Sequence, residues 1–283
     1  MAQVFMRFPG GRQKSLTFSY DDGIEQDKRL IALFRKYGMK ATFNLNSGLY
    51  APEGFVYPEG AWHRRMSESE VTKLYVGDDI EVAIHGSTHP WLDHMPLNMV
   101  TKDLMDDREK LEKQFNTIVR GMAYPFGTYT DETVEAMRCT GIVYARTVQS
   151  THDFNMPGDW MRLPATCHYN DPELMNLGKS YLEKSPWDMR PKMFYVWGHS
   201  YEFDQFKNWD MFEEFCKMMS GKEDIWYATN IEIYNYQDDF KRLRFSMDGS
   251  VVQNPTGQEL WFFLNGKVYS VKAGETKHIE AEQ

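Results

Sequence analysis

The sequence predicts an α/β fold built on parallel strands, a barrel or an open sheet, followed by a small antiparallel appendix. Three observations carry this. Short β-type runs alternate with helical patterns from residue 15 to about 240. The chemically capable polar residues fall at the C-terminal ends of those runs, the edge where parallel α/β architectures bind ligands. Beyond residue 242 the texture changes to alternating runs around Asp248-Gly249 and Asn265-Gly266, strong hairpin signals. The expected division is 1–242 for the α/β domain and 243–283 for the appendix.

The strand candidates, in order, are SLTFSY (15–20), KATFNL (40–45), DIEVAIHG (79–86), GMAYP (121–125), GIVYARTV (141–148), KMFYVWGH (192–199) and the weaker DIWYAT (224–229). Helical patterns fall between them at 26–37, 67–76, 97–119, 130–139, 171–184 and 208–220, and WYATNIEIYNYQ (226–237) reads as core plus a covering helix.

Charge narrows the partners. With 41 acidic and 32 basic residues, net −9, and no basic run able to track phosphates, nucleic acid is excluded. The opening MAQVFMRFPGGRQKSLTF lacks the apolar core of a secretion signal, and no uncharged apolar run approaches the ~18 residues of a membrane span. A soluble, cytoplasmic protein with no membrane partner is expected, its oligomeric state left open. Cys139, Cys167 and Cys216 are odd in number, lack C-x-x-C spacing and read as buried reduced thiols.

Asp21 and Asp22 end the first strand, His85 ends the third with His89 four residues on, Arg146 lies near the end of the fifth, and His199 ends the sixth. Two imidazoles four apart plus a carboxylate from a neighbouring strand would give a His₂Asp metal set with positions open for water and substrate. Each element alone has a plainer reading: capping or surface histidines for H-x-x-x-H, a turn with a helix N-cap for Asp-Asp-Gly, a satisfied core histidine for His199. Their joint recurrence at strand ends favours the metal site.

In that order, SYDDG, HGSTH, YPFG and WGH resemble the first, second, third and fifth motifs of the polysaccharide deacetylases, the NodB-like enzymes of carbohydrate esterase family 4. The resemblance covers residues 15–240. It implies a distorted (β/α)7-type barrel and a divalent metal, zinc in the first place with cobalt or nickel as alternatives. It also implies hydrolysis of acetyl groups on an N-acetylated or O-acetylated oligo- or polysaccharide. By position, Asp22, His85 and His89 would bind the metal, Asp21 would be the base and His199 the acid. Tyr124 and Phe126 would form the groove, with the Phe126 N–H toward the oxyanion, and Trp197 would line the acetyl pocket.

Two departures stand out. Many members carry arginine where this chain has Ala123, and Arg146 is the candidate to orient Asp21 instead. The fourth motif is only faintly echoed by Asp153 and Asp159-Trp160, leaving Trp160 either a sugar platform or a packing residue. His63, His94, His152 and His168 lack spacing partners, although His168 could line a rim; Glu202 and Asp204 are near enough to His199 to tune it. Two rivals share these residues: a hydrolase of ureide or cyclic imide C–N bonds on the same fold, and a catalytically silent carbohydrate-binding protein.

Overall fold

A computed structural model describes residues 3–183 and 188–279. Ten strands precede the appendix: β1 (Val4–Arg7), β2 (Lys14–Asp21), β3 (Ala41–Leu45), β4 (Ile80–Ile84), β5 (Gly121–Ala123), β6 (Tyr144–Ser150), β7 (Leu163–Ala165), β8 (Cys167–His168), β9 (Lys192–Gly198) and β10 (Ile225–Tyr227). The helices are α1 (Asp27–Lys36), α2 (Glu68–Leu74), α3 (Leu97–Phe115), α4 (Asp131–Cys139), α5 (Leu174–Leu182), α6 (Tyr201–Phe206), α7 (Trp209–Met219) and α8 (Asn230–Lys241). The pattern predicted at 171–184 ends at Leu182, and its last position lies outside the described residues.

The strands pair in parallel in the order β7-β6-β5-β4-β3-β2-β9-β8. The ring closes because β7 and β8 are one stretch of chain separated only by Thr166: Leu163–Ala165 pairs with β6 and Cys167–His168 pairs with β9. Thr166 itself donates its amide to the Tyr195 carbonyl at 2.8 Å. The result is a seven-stranded distorted barrel, and β10 adds to the start of β2 beside it.

Strand β2 shows why the chain closes this way. Leu16, Phe18 and Tyr20 face outward, where Phe18 and Tyr20 meet Phe34 of α1 and Phe212 of α7. The alternate residues Ser15, Thr17, Ser19 and Asp21 face inward and are equally buried, as period-2 side-chain alternation requires. The interior they enter is polar and hydrogen-bonded. Thr17 meets Asn230 at 2.8 Å, Ser19 meets Asn44 at 2.7 Å, and Asn230 donates to Tyr195 at 2.7 Å. Lower down, Glu81 accepts from Thr42 and Tyr144, each at 2.7 Å. Gly121 is required here, because a Cβ would stand 2.2 Å from the Tyr144 ring.

Strands β11 (Arg244–Phe245), β12 (Val251–Gln253), β13 (Leu260–Leu264), β14 (Lys267–Val271) and β15 (Thr276–His278) form the appendix as two sheets, β1-β13-β14 and β11-β12-β15. The Asn265-Gly266 turn joins β13 to β14 as expected. The boundary drawn at 242/243 needs correction at the other end of the chain, because Val4–Arg7 pairs with Trp261–Leu264. Phe262, Leu264, Val252 and Val271 share one apolar cluster with Tyr144, Leu163 and Met193, residues at the starts of barrel strands. The appendix therefore covers the end of the barrel opposite the strand termini named above. Cys167 and Cys216 are buried free thiols, whereas Cys139, at the end of α4, is exposed. Among the described residues no helix is long and apolar enough to cross a membrane.

Candidate active site and metal centre

The polar interior ends upward in Asp21. Beyond it the backbone leaves the strand through two left-handed residues, Asp22 (φ 82°) and Gly23 (φ 68°). Asp is among the few side chains that tolerate this region. The turn thus begins one residue before the glycine, and it brings two adjacent carboxylates to one pocket.

A second left-handed turn, Gly86 (φ 75°) and His89 (φ 51°), folds HGSTH back on itself so that the two imidazoles lie 4.8 Å apart. A Cβ on Gly86 would meet Pro90 at 2.9 Å. His85 Nδ1 donates to the Ala123 carbonyl at 2.8 Å, which leaves the Nε2 lone pair free, the tautomer a metal ligand needs. Burial holds both imidazoles below their ordinary pKa, His89 down to about 4, so both are neutral at pH 7. One ligand atom each from Asp22, His85 and His89 fits within 4.8 Å of the others. Two neutral imidazoles and an ionised carboxylate suit a divalent cation.

Asp21 is fully enclosed. Its Oδ1 accepts from Asn44 at 2.8 Å and its Oδ2 from Arg146. The Arg146 guanidinium is itself buried and lies 4.3 Å over the Trp197 ring. Burial would raise the Asp21 carboxyl, but Arg146, His85 and His199 outweigh it and hold it below the usual range. Across the pocket His199 Nε2 lies 3.7 Å from Asp21 Oδ2, and His199 Nδ1 lies 3.5 Å from Glu202 Oε1. Burial opposes the charged imidazole, yet Glu202 and the two aspartates push it up to about 9. Glu202 is anchored in turn by His168 Nε2 at 3.2 Å.

The sequence profile of the polysaccharide deacetylases matches residues 9–145. Over that stretch the chain is similar to the polysaccharide deacetylase family. It is 24% identical over 135 residues to YxkH of Bacillus subtilis (strain 168), by name a candidate polysaccharide deacetylase, across 46% of this chain and 43% of that relative. The chain thus spans less than half the length of that relative. A solved structure of a candidate polysaccharide deacetylase from Mycobacterium smegmatis superposes with TM-score 0.59 at 15% identity, covering 83% of this chain and 93% of the other. The Xyl-CE4 domain of a multidomain xylanase from the hindgut metagenome of Trinervitermes trinervoides gives 0.52 at 14% identity, covering 80% and 92%. At such identity these likenesses speak for the fold, the NodB-like barrel.

At this barrel mouth, some expected site residues lie elsewhere. Trp160 is a correction. Its indole donates to Gln237 at 2.5 Å and packs against Tyr144 and Tyr234, in the apolar cluster shared with the appendix. The neighbouring Asp159 caps its 3-10 turn and pairs with Arg138 and Arg162. The Tyr124 side chain is also turned away from any substrate: it is buried, and its hydroxyl donates to the Met161 carbonyl at 2.8 Å. Phe126 does reach the site (φ 57°), with its ring 4.3 Å from that of His89. It stacks at 3.9 Å and 3° on Trp91, and both rings are about half exposed. Trp197 packs beside His199 and His168.

Sequence reasoning passed over His63 and gave His168 only as a candidate rim residue, since neither has a partner at a recognisable spacing. Both are brought in by tertiary contacts: His63 meets Asp22 at 3.0 Å and His168 meets Glu202. His94 and His152 pair with Asp93 and Asp171 at the surface.

Proposed function

We propose that this chain is a metal-dependent deacetylase that hydrolyses acetyl groups on an N- or O-acetylated oligo- or polysaccharide. The observation that carries the reading is the triangle at the barrel mouth. A three-ligand set, Asp22, His85 and His89, stands beside an ionised carboxylate, Asp21, with an imidazole that favours its protonated form, His199, across from it. Zinc held by that set would polarise the acetyl carbonyl and lower the pKa of water toward ~7.

The remaining chemistry falls to the chain itself. Asp21 takes the proton of the attacking water. Asn44 and Arg146 aim its two oxygens and keep it charged, so it is ready as a base at neutral pH. The Phe126 backbone N–H is assigned to the oxygen on which charge develops, a contact of the kind worth about 3 kcal/mol. His199, held by Glu202 at Nδ1, gives its Nε2 proton to the departing amine or alcohol. Trp197 lines the acetyl pocket. The Trp91–Phe126 pair offers an apolar stacking surface for a sugar ring.

The test is acetate release by the zinc-loaded chain across N-acetylated oligosaccharides, acetylated xylan and small cyclic amides. Acetate from a saccharide, lost in Asp22→Ala, supports the reading. Turnover of the cyclic amides alone moves the chain to the other C–N hydrolase reading, and full activity of Asp22→Ala removes the metal assignment.

A further inference from the structure

The residues between β3 and α2 run from Asn46 to Ser67 with two isolated bridges, Ile24 to Arg65 and Ala51 to Ser67, and turns, a length at which unstructured loops usually serve a site. This loop is tied down at its far end. Arg65 Nη1 donates to the Asp22 carbonyl at 2.8 Å and to Asn46 Oδ1 at 2.9 Å, and its Nη2 lies 3.2 Å from Asp22 Oδ1. Arg64 pairs with Glu25 at 2.6 Å, and Gln26 donates to the Trp62 carbonyl at 2.8 Å. His63, at this anchored end, places Nε2 3.0 Å from Asp22 Oδ2 while its ring rests against Tyr201.

The two oxygens of Asp22 are thereby distinguished. Oδ1 faces His89 Nε2 at 3.9 Å, a separation that one shared cation can bridge, and Oδ2 is taken by His63. His63 Nε2 is not among the atoms that fit the ligand triangle. Its place is behind the carboxylate, where a hydrogen bond fixes which oxygen turns inward.

We infer that His63 is a positioning residue for the metal ligand Asp22, so that the Asn46–Ser67 loop completes the metal site from outside the barrel and its closure is coupled to metal affinity. This rests on the metal reading above. A hydrogen bond to a ligating carboxylate commonly governs 10–100-fold in metal affinity. Because coupling between two sites is reciprocal, bound metal must also hold the loop down.

The test is zinc affinity, by competition with a chromophoric chelator, for the full chain and for His63→Ala and His63→Gln. The glutamine amide can restore a donor near the position of Nε2. His63 is 40% exposed, so neither variant opens the core; thermal unfolding of the metal-free proteins checks this. The expected result is a dissociation constant raised about 10–100-fold in His63→Ala and largely restored in His63→Gln. Zinc should slow amide exchange over residues 61–65 in the parent and much less in His63→Ala. Zinc binding by His63→Ala as tight as the parent's overturns this inference alone, as does equal weakening in both variants. Failure of the parent to bind zinc overturns the metal reading itself.

Discussion

Two carboxylates, Asp21 buried and Glu81 half-buried, sit at opposite ends of the same polar barrel interior and titrate in opposite directions. Asp21, at the open mouth, is held below the ordinary range; Glu81, toward the end covered by the appendix, is pushed up to about 7. Burial raises both. The difference is in their partners: Asp21 faces Arg146 and two imidazoles, whereas Glu81, among the described residues, accepts from neutral groups, Tyr144, Thr42 and the Ile231 amide. A fully hydrogen-bonded carboxylate without a cation leans toward neutrality, and one with a cation stays charged. The barrel therefore concentrates its charge at one mouth. At the same mouth Asp22, His89 and Phe126 adopt left-handed backbone, a conformation costing about 1–3 kcal/mol each for such residues.

The contrast can be broken at several points. The largest effect is expected for Asp21→Asn, which should lower kcat by about 10²–10⁴, while Glu81→Gln, assayed alongside on the same saccharide, should leave kcat within about two-fold. Next, Arg146→Met leaves Asp21 buried without its cation, a change that typically costs about 3–5 kcal/mol. Urea unfolding should show the loss, and the acid limb of the pH–rate profile should move to higher pH because the base now protonates more readily.

A third effect concerns stability alone. The Glu81 carboxyl is raised in the folded state, so the native chain holds a proton that the unfolded chain releases. Stability should fall as pH rises from about 4.5 to about 7 and level off above, by at most about 1.4 kcal/mol per pH unit. Denaturation at pH 5 and pH 8 should show this slope in the parent and a flatter one in Glu81→Gln. The smallest effect is Glu202→Gln: His199 is raised to about 9 in part by this carboxylate, so the alkaline limb of kcat/KM should shift toward lower pH.

The barrel was largely legible because β2, β3, β4, β6 and β9 are runs of five to eight residues, and the three-residue β5 lies inside the β-type run GMAYP. The closing segment Leu163–His168 was not, since Pro164 interrupts it and each half is too short for a pattern. The catalytic candidates on strand ends could be read for the same reason. Glu202, three residues after His199, could be read as its neighbour, but His63 and His168 are brought in only by tertiary contacts that no spacing in the chain encodes. Trp160 shows the opposite failure: a tryptophan beside a turn looks the same in sequence whether it meets sugar or packs against helix α8.

The pairing of Val4–Arg7 with Trp261–Leu264 carries a consequence for biosynthesis. The strand that precedes the whole barrel finds its partner only after every barrel strand has left the ribosome. Until then it is an unsatisfied edge, open to mispairing with other nascent chains. Its closure is among the longest-range contacts in the molecule, the kind that slows folding. A ribosome-stalled chain halted before residue 260 should therefore expose the covered end of the barrel to chaperones, even where the strands of the open mouth are already paired.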